Sequence, residues 1–332
     1  MSRPRIVSGI RPTGSLHLGH YLGVLKNWVR LQDEYQCFYF TADWHALTSE
    51  YKDPSIIGES IREMVMIWLS VGIDPTRSVI FRQSDLKVHA EFFLLLSMIT
   101  PLGWLERNPT YKELREELKA KDLGTFGFLG YPVLQAADII IYNADRVPIG
   151  EDQLPHLELT REIARRFNYL YGQKLLKEPQ EILTQAPRVP GIDGRKMSKS
   201  YNNAIFIHET PESLKAKVMQ MLTDPKRKRR TDPGEPDECN LYPFHVHFTD
   251  ENMRSHIQKS CRDASWGCVD CKKVLVENLV KEFTPVWEKI EYYMKKPELV
   301  EDVLQTGCRR ASEISEITMH KVREAMGLNQ GP

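Results

Sequence analysis

The chain has 332 residues, 41% hydrophobic and 27% charged, and its 45 Lys and Arg balance 45 Asp and Glu to a formal net charge of zero. This composition is ordinary for a globular protein with one large and one smaller domain. Zero net charge excludes a global basic field for nucleic acid, DNA included, and no stretch approaches the roughly 20 apolar residues that span a bilayer. The N-terminal segment MSRPRIVSGI lacks the apolar core of a signal peptide, so a cytoplasmic location is expected.

Arg5 to Ile10 reads as a buried strand that runs into the turn Pro12-Thr13-Gly14. A helix is predicted from near His17 through Tyr21, Leu22, Leu25 and Trp28. Cys37 to Phe40 and Ser78 to Phe81 read as further strands, with helical periodicity over Ile56 to Val71 between them. Strands alternating with helices predict an α/β fold with a doubly wound parallel sheet. After about residue 205 long charged helical stretches take over: Glu212 to Leu222, Lys272 to Lys295 and Ile314 to Met326. The expected division is an α/β domain over 1–205 and a smaller all-helical domain over 206–332.

The segment Ser8 to His20 joins a strand end, a flexible turn and a helix start, and closes on His17-Leu18-Gly19-His20. A helix start offers unpaired N–H groups to phosphate, and Gly19 allows a flat ring to approach the backbone. His17 and His20, three apart, share a helical face and can donate hydrogen bonds to phosphate oxygens as charge builds. Further on, Lys196-Met197-Ser198-Lys199-Ser200 follows the loop Pro190 to Arg195. Two lysines on a glycine-flanked loop suit a triphosphate and a departing pyrophosphate.

HLGH followed by KMSKS resembles the paired signatures of class I aminoacyl-tRNA synthetases. The resemblance implies a Rossmann catalytic domain, Mg-ATP, and an aminoacyl adenylate passed to a tRNA 3′ end. Between the signatures, Tyr131-Pro132-Val133-Leu134-Gln135-Ala136-Ala137-Asp138-Ile139 and Val147-Pro148-Ile149-Gly150-Glu151-Asp152-Gln153 look like the tryptophanyl motifs YPxLxAADI and VPVGEDQ of the bacterial type. The likeness runs over roughly residues 3 to 205, and more loosely beyond.

Tyr131, Gln135, Asp138 and Tyr142 share a face if this segment is helical. In the family, the aspartate matching Asp138 accepts the indole N–H of the substrate. Such a buried acceptor penalises side chains that lack the donor. The resemblance also puts Tyr131 and Gln153 near the substrate amino and carboxylate groups, and His45, Gly9 and Val147 in the pocket wall. It implies ATP contacts from Arg11, Pro12, Thr13, Gly19, His20, Gly150, Glu151, Asp152 and Val189, and from Lys196, Met197, Ser198, Lys199 and Ser200. His17, His20, Lys196 and Lys199 are then the catalytic set. The chain departs from many bacterial members at Val7, where they have Phe, and at Gln135, where they have Met. Gln135 is expected either to add specificity or to hold Asp138. Resemblance alone implies a homodimer with tRNA across both subunits. Competing readings are a tyrosyl enzyme, a non-catalytic RNA-binding paralogue, and an unrelated iron–sulfur redox module.

Of six cysteines, Cys239, Cys261, Cys268 and Cys271 form C-x21-C-x6-C-x2-C within the helical part. Four soft ligands point to a metal, a [4Fe–4S] cluster or zinc, and His245 or His247 in place of a cysteine would favour zinc; four free or disulfide-paired cysteines are the alternative. A similar cysteine set occurs in some tryptophanyl enzymes. The site is expected to brace an anticodon-binding domain without redox chemistry. Next to it, Lys226-Arg227-Lys228-Arg229-Arg230 is the clearest local basic cluster for RNA. Cys37 and Cys308 are expected to be thiols without a role.

Overall fold

The computed structural model describes residues 3–108, 123–183 and 189–328. They divide into two compact units, one made of residues 3–14, 27–108, 123–183 and 296–328, the other of 15–26 and 189–295.

The first unit is built on five parallel strands: β1 Arg5–Ile10, β2 Gln36–Thr41, β3 Ser78–Arg82, β4 Arg146–Ile149 and β5 Gln180–Leu183. Their order is β3-β2-β1-β4-β5, the doubly wound arrangement expected from the sequence. β2 and β3 are nearly continuous apolar runs because helices cover both faces of such a sheet. Val7, Phe38, Phe40, Val79, Phe81, Val133, Ile140 and Val147 belong to one buried cluster. Val7 is fully buried within it.

The helix Pro297–Ala325 belongs to this unit, so the compact units are drawn differently from the division expected at residue 205. The physical reason is its apolar stripe: Val300, Leu304, Ala311, Met319 and Val322 are buried, and the helix packs along β3. Arg310 donates to the carbonyls of Pro75 at 2.8 Å and Ser78 at 3.0 Å. Arg323 pairs with Glu91 at 2.5 Å.

The second unit is largely helical, with Pro211–Gln220, Tyr242–Phe248, Glu251–Arg262 and Cys268–Met294 as its main helices. The long helix is tied to its surroundings by Trp287, whose indole donates to the Ile207 carbonyl at 2.9 Å, and by Glu282, which accepts from the Tyr21 hydroxyl at 2.6 Å. The predicted helix after His17 is interrupted: Leu18–His20 is α-helical, Tyr21–Leu25 forms a π turn, and Lys26–Leu31 resumes the α form. Among the described residues, no helix is long and apolar enough to cross a membrane.

Candidate active site

Parallel doubly wound sheets bind ligands at the carboxyl ends of their strands. In the first unit those ends carry Gly9, the segment Ala42–His45, Gln83, and the run from Ile149 to Gln153. Asp138, on the helix Phe126–Ile140, is 1% exposed. Its Oδ2 receives His45 Nε2 at 2.7 Å, and its Oδ1 receives His89 Nδ1 at 2.6 Å. Gln83 Nε2 reaches both oxygens, at 2.9 and 2.8 Å. Gln83 Oε1 accepts the Trp44 backbone N–H at 3.2 Å, which orients the side-chain amide so that its NH2 faces the carboxylate. Burial alone would raise the Asp138 carboxyl, but the hydrogen bonds from His45 and His89 outweigh it and hold it below the usual aspartate value. The group is an ionised acceptor at neutral pH.

Tyr131 is half-buried, with its hydroxyl 2.7 Å from His156 Nε2. Burial pulls His156 down to about 4, so it is neutral at pH 7. The His45 and Tyr131 rings meet edge to face, with centroids 6.4 Å apart. Tyr131 also lines an apolar cavity of about 400 Å³ with Trp44, Leu47, Phe93 and Leu134. Tyr142 lies just past the end of the helix and is fully buried. Gln135 is half-buried and is not among the partners of Asp138, so it does not hold that carboxylate.

Elsewhere in this unit, Val147 is buried in β4 and Gly9 lies in β1 opposite Phe40. Glu151–Gln153 forms a 3-10 turn, and Gln153 donates to the Asp152 carboxylate at 2.9 Å. A Cβ at Gly150 would stand 2.6 Å from that carboxylate, which would have to turn aside. Arg11 is exposed, Pro12 is buried, and Thr13 N–H closes a turn on the Arg11 carbonyl at 2.9 Å.

The second unit holds both phosphate signatures. His17 is the cap of the helix start: its Nδ1 accepts the Gly19 N–H at 3.1 Å, and His20 Nδ1 accepts the His17 N–H at 3.2 Å. An imidazole nitrogen that accepts a backbone N–H carries no proton, so both rings keep theirs on Nε2. The rings lie 3.9 Å apart. Burial, and then the Lys199 ammonium, pull His17 down to about 4. Burial, His17 and Lys199 pull His20 well below its usual value. The pair is thus two neutral N–H donors at pH 7.

In the KMSKS segment, Lys196 and Pro190 form an isolated antiparallel bridge, next to buried Val189. Met197 is buried, and the Ser198 and Ser200 hydroxyls are 2.9 Å apart. Asn203, 1% exposed, holds the loop at three points. Its amide donates to Asp193 at 2.7 Å and to the Lys196 carbonyl at 3.1 Å, and its oxygen accepts the Ser198 N–H at 2.8 Å. Arg195 pairs with Asp193 at 2.6 Å and lies over the Tyr201 ring.

Cys239, Cys261, Cys268 and Cys271 line one small cavity of about 30 Å³, with Arg227 and Trp266. Yet among the described residues no three His, Cys, Asp or Glu side chains are grouped closely enough to hold a metal ion. Burial, and then the other three cysteines, push the Cys271 thiol up to about 12, so it is a thiol at pH 7. His245 Nε2 lies 3.1 Å from Cys271 Sγ, while its Nδ1 faces the Thr249 hydroxyl at 2.8 Å. The basic run is partly structural. Lys226 pairs with Glu238 at 2.5 Å, and Arg227 donates to the carbonyls of Arg230 and Trp266. Cys37 is buried in β2, and Cys308 is half-buried on the C-terminal helix.

Sequence reasoning missed Gln83, His89 and Asn203. Gln83 follows β3 directly, at the carboxyl end of a parallel strand, which is the signal that marks it; His89 lies on the next helix, Val88–Ser97.

The chain matches the family of class I tRNA synthetases for W and Y over residues 1–284. It is 52% identical to a tryptophan–tRNA ligase of Thermotoga maritima, over 98% of this chain and 99% of the relative. Another from Ralstonia nicotianae is 47% identical, with 98% of each chain covered. The crystal structure of tryptophanyl-tRNA synthetase from Campylobacter jejuni complexed with ADP and tryptophan superposes with a TM-score of 0.89 at 34% identity, over 98% of this chain and 100% of that one. With the doubly wound sheet and both signatures in place, the chain belongs to the class I tRNA synthetases of the tryptophan and tyrosine family, and within it to the tryptophan–tRNA ligases.

Proposed function

We propose that this chain activates L-tryptophan with Mg-ATP and transfers the product to tRNA(Trp), with residue roles as follows. The observation that carries the tryptophan assignment is Asp138, a buried ionised acceptor matched to one indole N–H. Tyr131 and Gln153 orient the amino and carboxylate groups. The substrate carboxylate attacks the α-phosphorus of ATP, the bond to the β-phosphate oxygen breaks, and pyrophosphate leaves with its metal. No general base is needed, because a carboxylate is ionised at neutral pH. His17 and His20 donate neutral N–H bonds to phosphate oxygens, and Lys196 and Lys199 offset their charge. The terminal ribose 2′-OH of tRNA then attacks the carbonyl carbon, and AMP leaves. Charging of a tRNA(Trp) transcript tests this. Tryptophan esterified to the 3′-terminal nucleotide is expected; exchange and charging with tyrosine alone would favour the tyrosyl reading.

We further propose that Cys239, Cys261, Cys268 and Cys271 hold a [4Fe–4S] cluster, with zinc as the alternative. What supports it is four soft donors around one cavity beside the Arg227 cation, in a helical unit. Binding requires the raised thiols to lose their protons to the metal. The cluster would cross-link the segments that meet there and brace an anticodon-binding region; no step of activation passes through it. Broad visible absorbance with iron and sulfide supports the cluster, and zinc without iron overturns it. A homodimer with tRNA across both subunits completes the proposal, and light scattering on the purified chain tests the dimer.

A further inference from the structure

An ionised carboxylate has about four lone-pair sites, and all those of Asp138 are taken. His45 fills one, His89 another, and Gln83 the remaining two, at 2.6 to 2.9 Å. An incoming indole N–H must displace one of these donors. Gln83 and His89 are fully buried, and His45 alone of the three has a side chain that solvent reaches, at 10%. His45 also faces Tyr131, on the side where the substrate amino group is assigned. His89 is backed by a second group: its Nε2 meets the buried Tyr142 hydroxyl at 2.7 Å. Tyr142 leaves that contact only by abandoning the imidazole in a dry core, which costs a buried hydrogen bond.

We propose that His89, backed by Tyr142, is a specificity-determining positioning residue that holds Asp138 for the indole N–H, while His45 is the donor that tryptophan displaces. The inference rests on Asp138 accepting the indole. His89 touches no substrate; it acts by fixing where the free lone pair of Asp138 points. A carboxylate free to rotate would lose the distinction between tryptophan and an analogue without the N–H.

The test is amino-acid-dependent ATP–pyrophosphate exchange by the full chain with tryptophan and with β-(benzothiophen-3-yl)alanine, whose sulfur replaces the N–H. His89→Leu is expected to raise KM for tryptophan about ten- to a hundredfold, to bring the preference over the analogue near unity, and to leave KM for ATP unchanged. His89→Asn, whose amide can replace Nδ1–H, is expected to recover most of the preference, and Tyr142→Phe to lie between. If His89→Leu does not fold, His89→Asn and Tyr142→Phe carry the comparison. A folded His89→Leu with wild-type preference overturns the proposal, as does an equal rise in KM for ATP. Asp138→Ala, which removes both acceptor oxygens, separates the two levels. If it retains the wild-type preference, the indole assignment itself fails. If it loses the preference while the His89 and Tyr142 variants keep it, only the positioning role fails.

Discussion

A Cβ added at Gly307 would stand 1.7 Å from the Ile80 carbonyl oxygen, so the C-terminal helix lies against the backbone of β3 with room for hydrogen only. Gly307→Ala therefore forces the helix off the strand. Overpacking of this kind costs about 1–3 kcal/mol. A lower melting temperature with unchanged helix content at room temperature is expected by circular dichroism. An unaltered melt would show that the helix does not depend on that approach.

The KMSKS loop depends on Asn203, which ties Asp193, Lys196 and Ser198 together. Each bond contributes about 0.5–1.5 kcal/mol. Asn203→Ala is expected to raise KM for ATP and lower kcat in pyrophosphate exchange, by roughly tenfold in kcat/KM, with KM for tryptophan little changed. Equal effects on both substrates would contradict a role confined to the loop.

Gly19 packs against His17: a Cβ there would lie 2.9 Å from Cε1 of the imidazole. Gly19→Ala tilts that ring and its Nε2–H. Loss of one positioned donor typically costs about a hundredfold or more in rate, so a drop of about tenfold is expected for a tilted one. Stopped-flow adenylate formation measures it, and a wild-type rate would remove His17 from phosphate handling.

Acid stability follows from His17 and His156, both held at about 4 by burial, and from His20, held lower than its usual value. Their ordinary value is 6.5. Between 6.5 and 4 the unfolded chain binds more protons than the folded one, so stability falls as pH drops through that window and is flat above it for these groups. Denaturant melts from pH 8 to 4 should show the slope, and His156→Gln should reduce it. A stability that rises on acidification would contradict the neutral buried rings.

Local patterns carried much of the fold. β1 spans Arg5–Ile10 as predicted, β2 and β3 extend their predicted cores by a residue or two, and the helix expected over 56–71 is Ser55–Ser70. These segments are legible because their periodicity is set within the segment. The π turn at Tyr21–Leu25 and the docking of Pro297–Ala325 on β3 depend on partners far along the chain. The same is true at the site. Asp138 and the two histidines of HLGH stand out as motif residues, but Gln83 and His89 meet Asp138 across 55 and 49 positions, which no local pattern encodes. The cysteines were legible as a set, although their side chains are not gathered as metal ligands.

In the proposed reaction, Asp138 and its neighbours select tryptophan for activation. Pyrophosphate exchange across the amino acids, each with saturating Mg-ATP, tests it most directly. Exchange driven by tryptophan and collapsing in Asp138→Ala is the expected result. Exchange driven by tyrosine and not by tryptophan would contradict it.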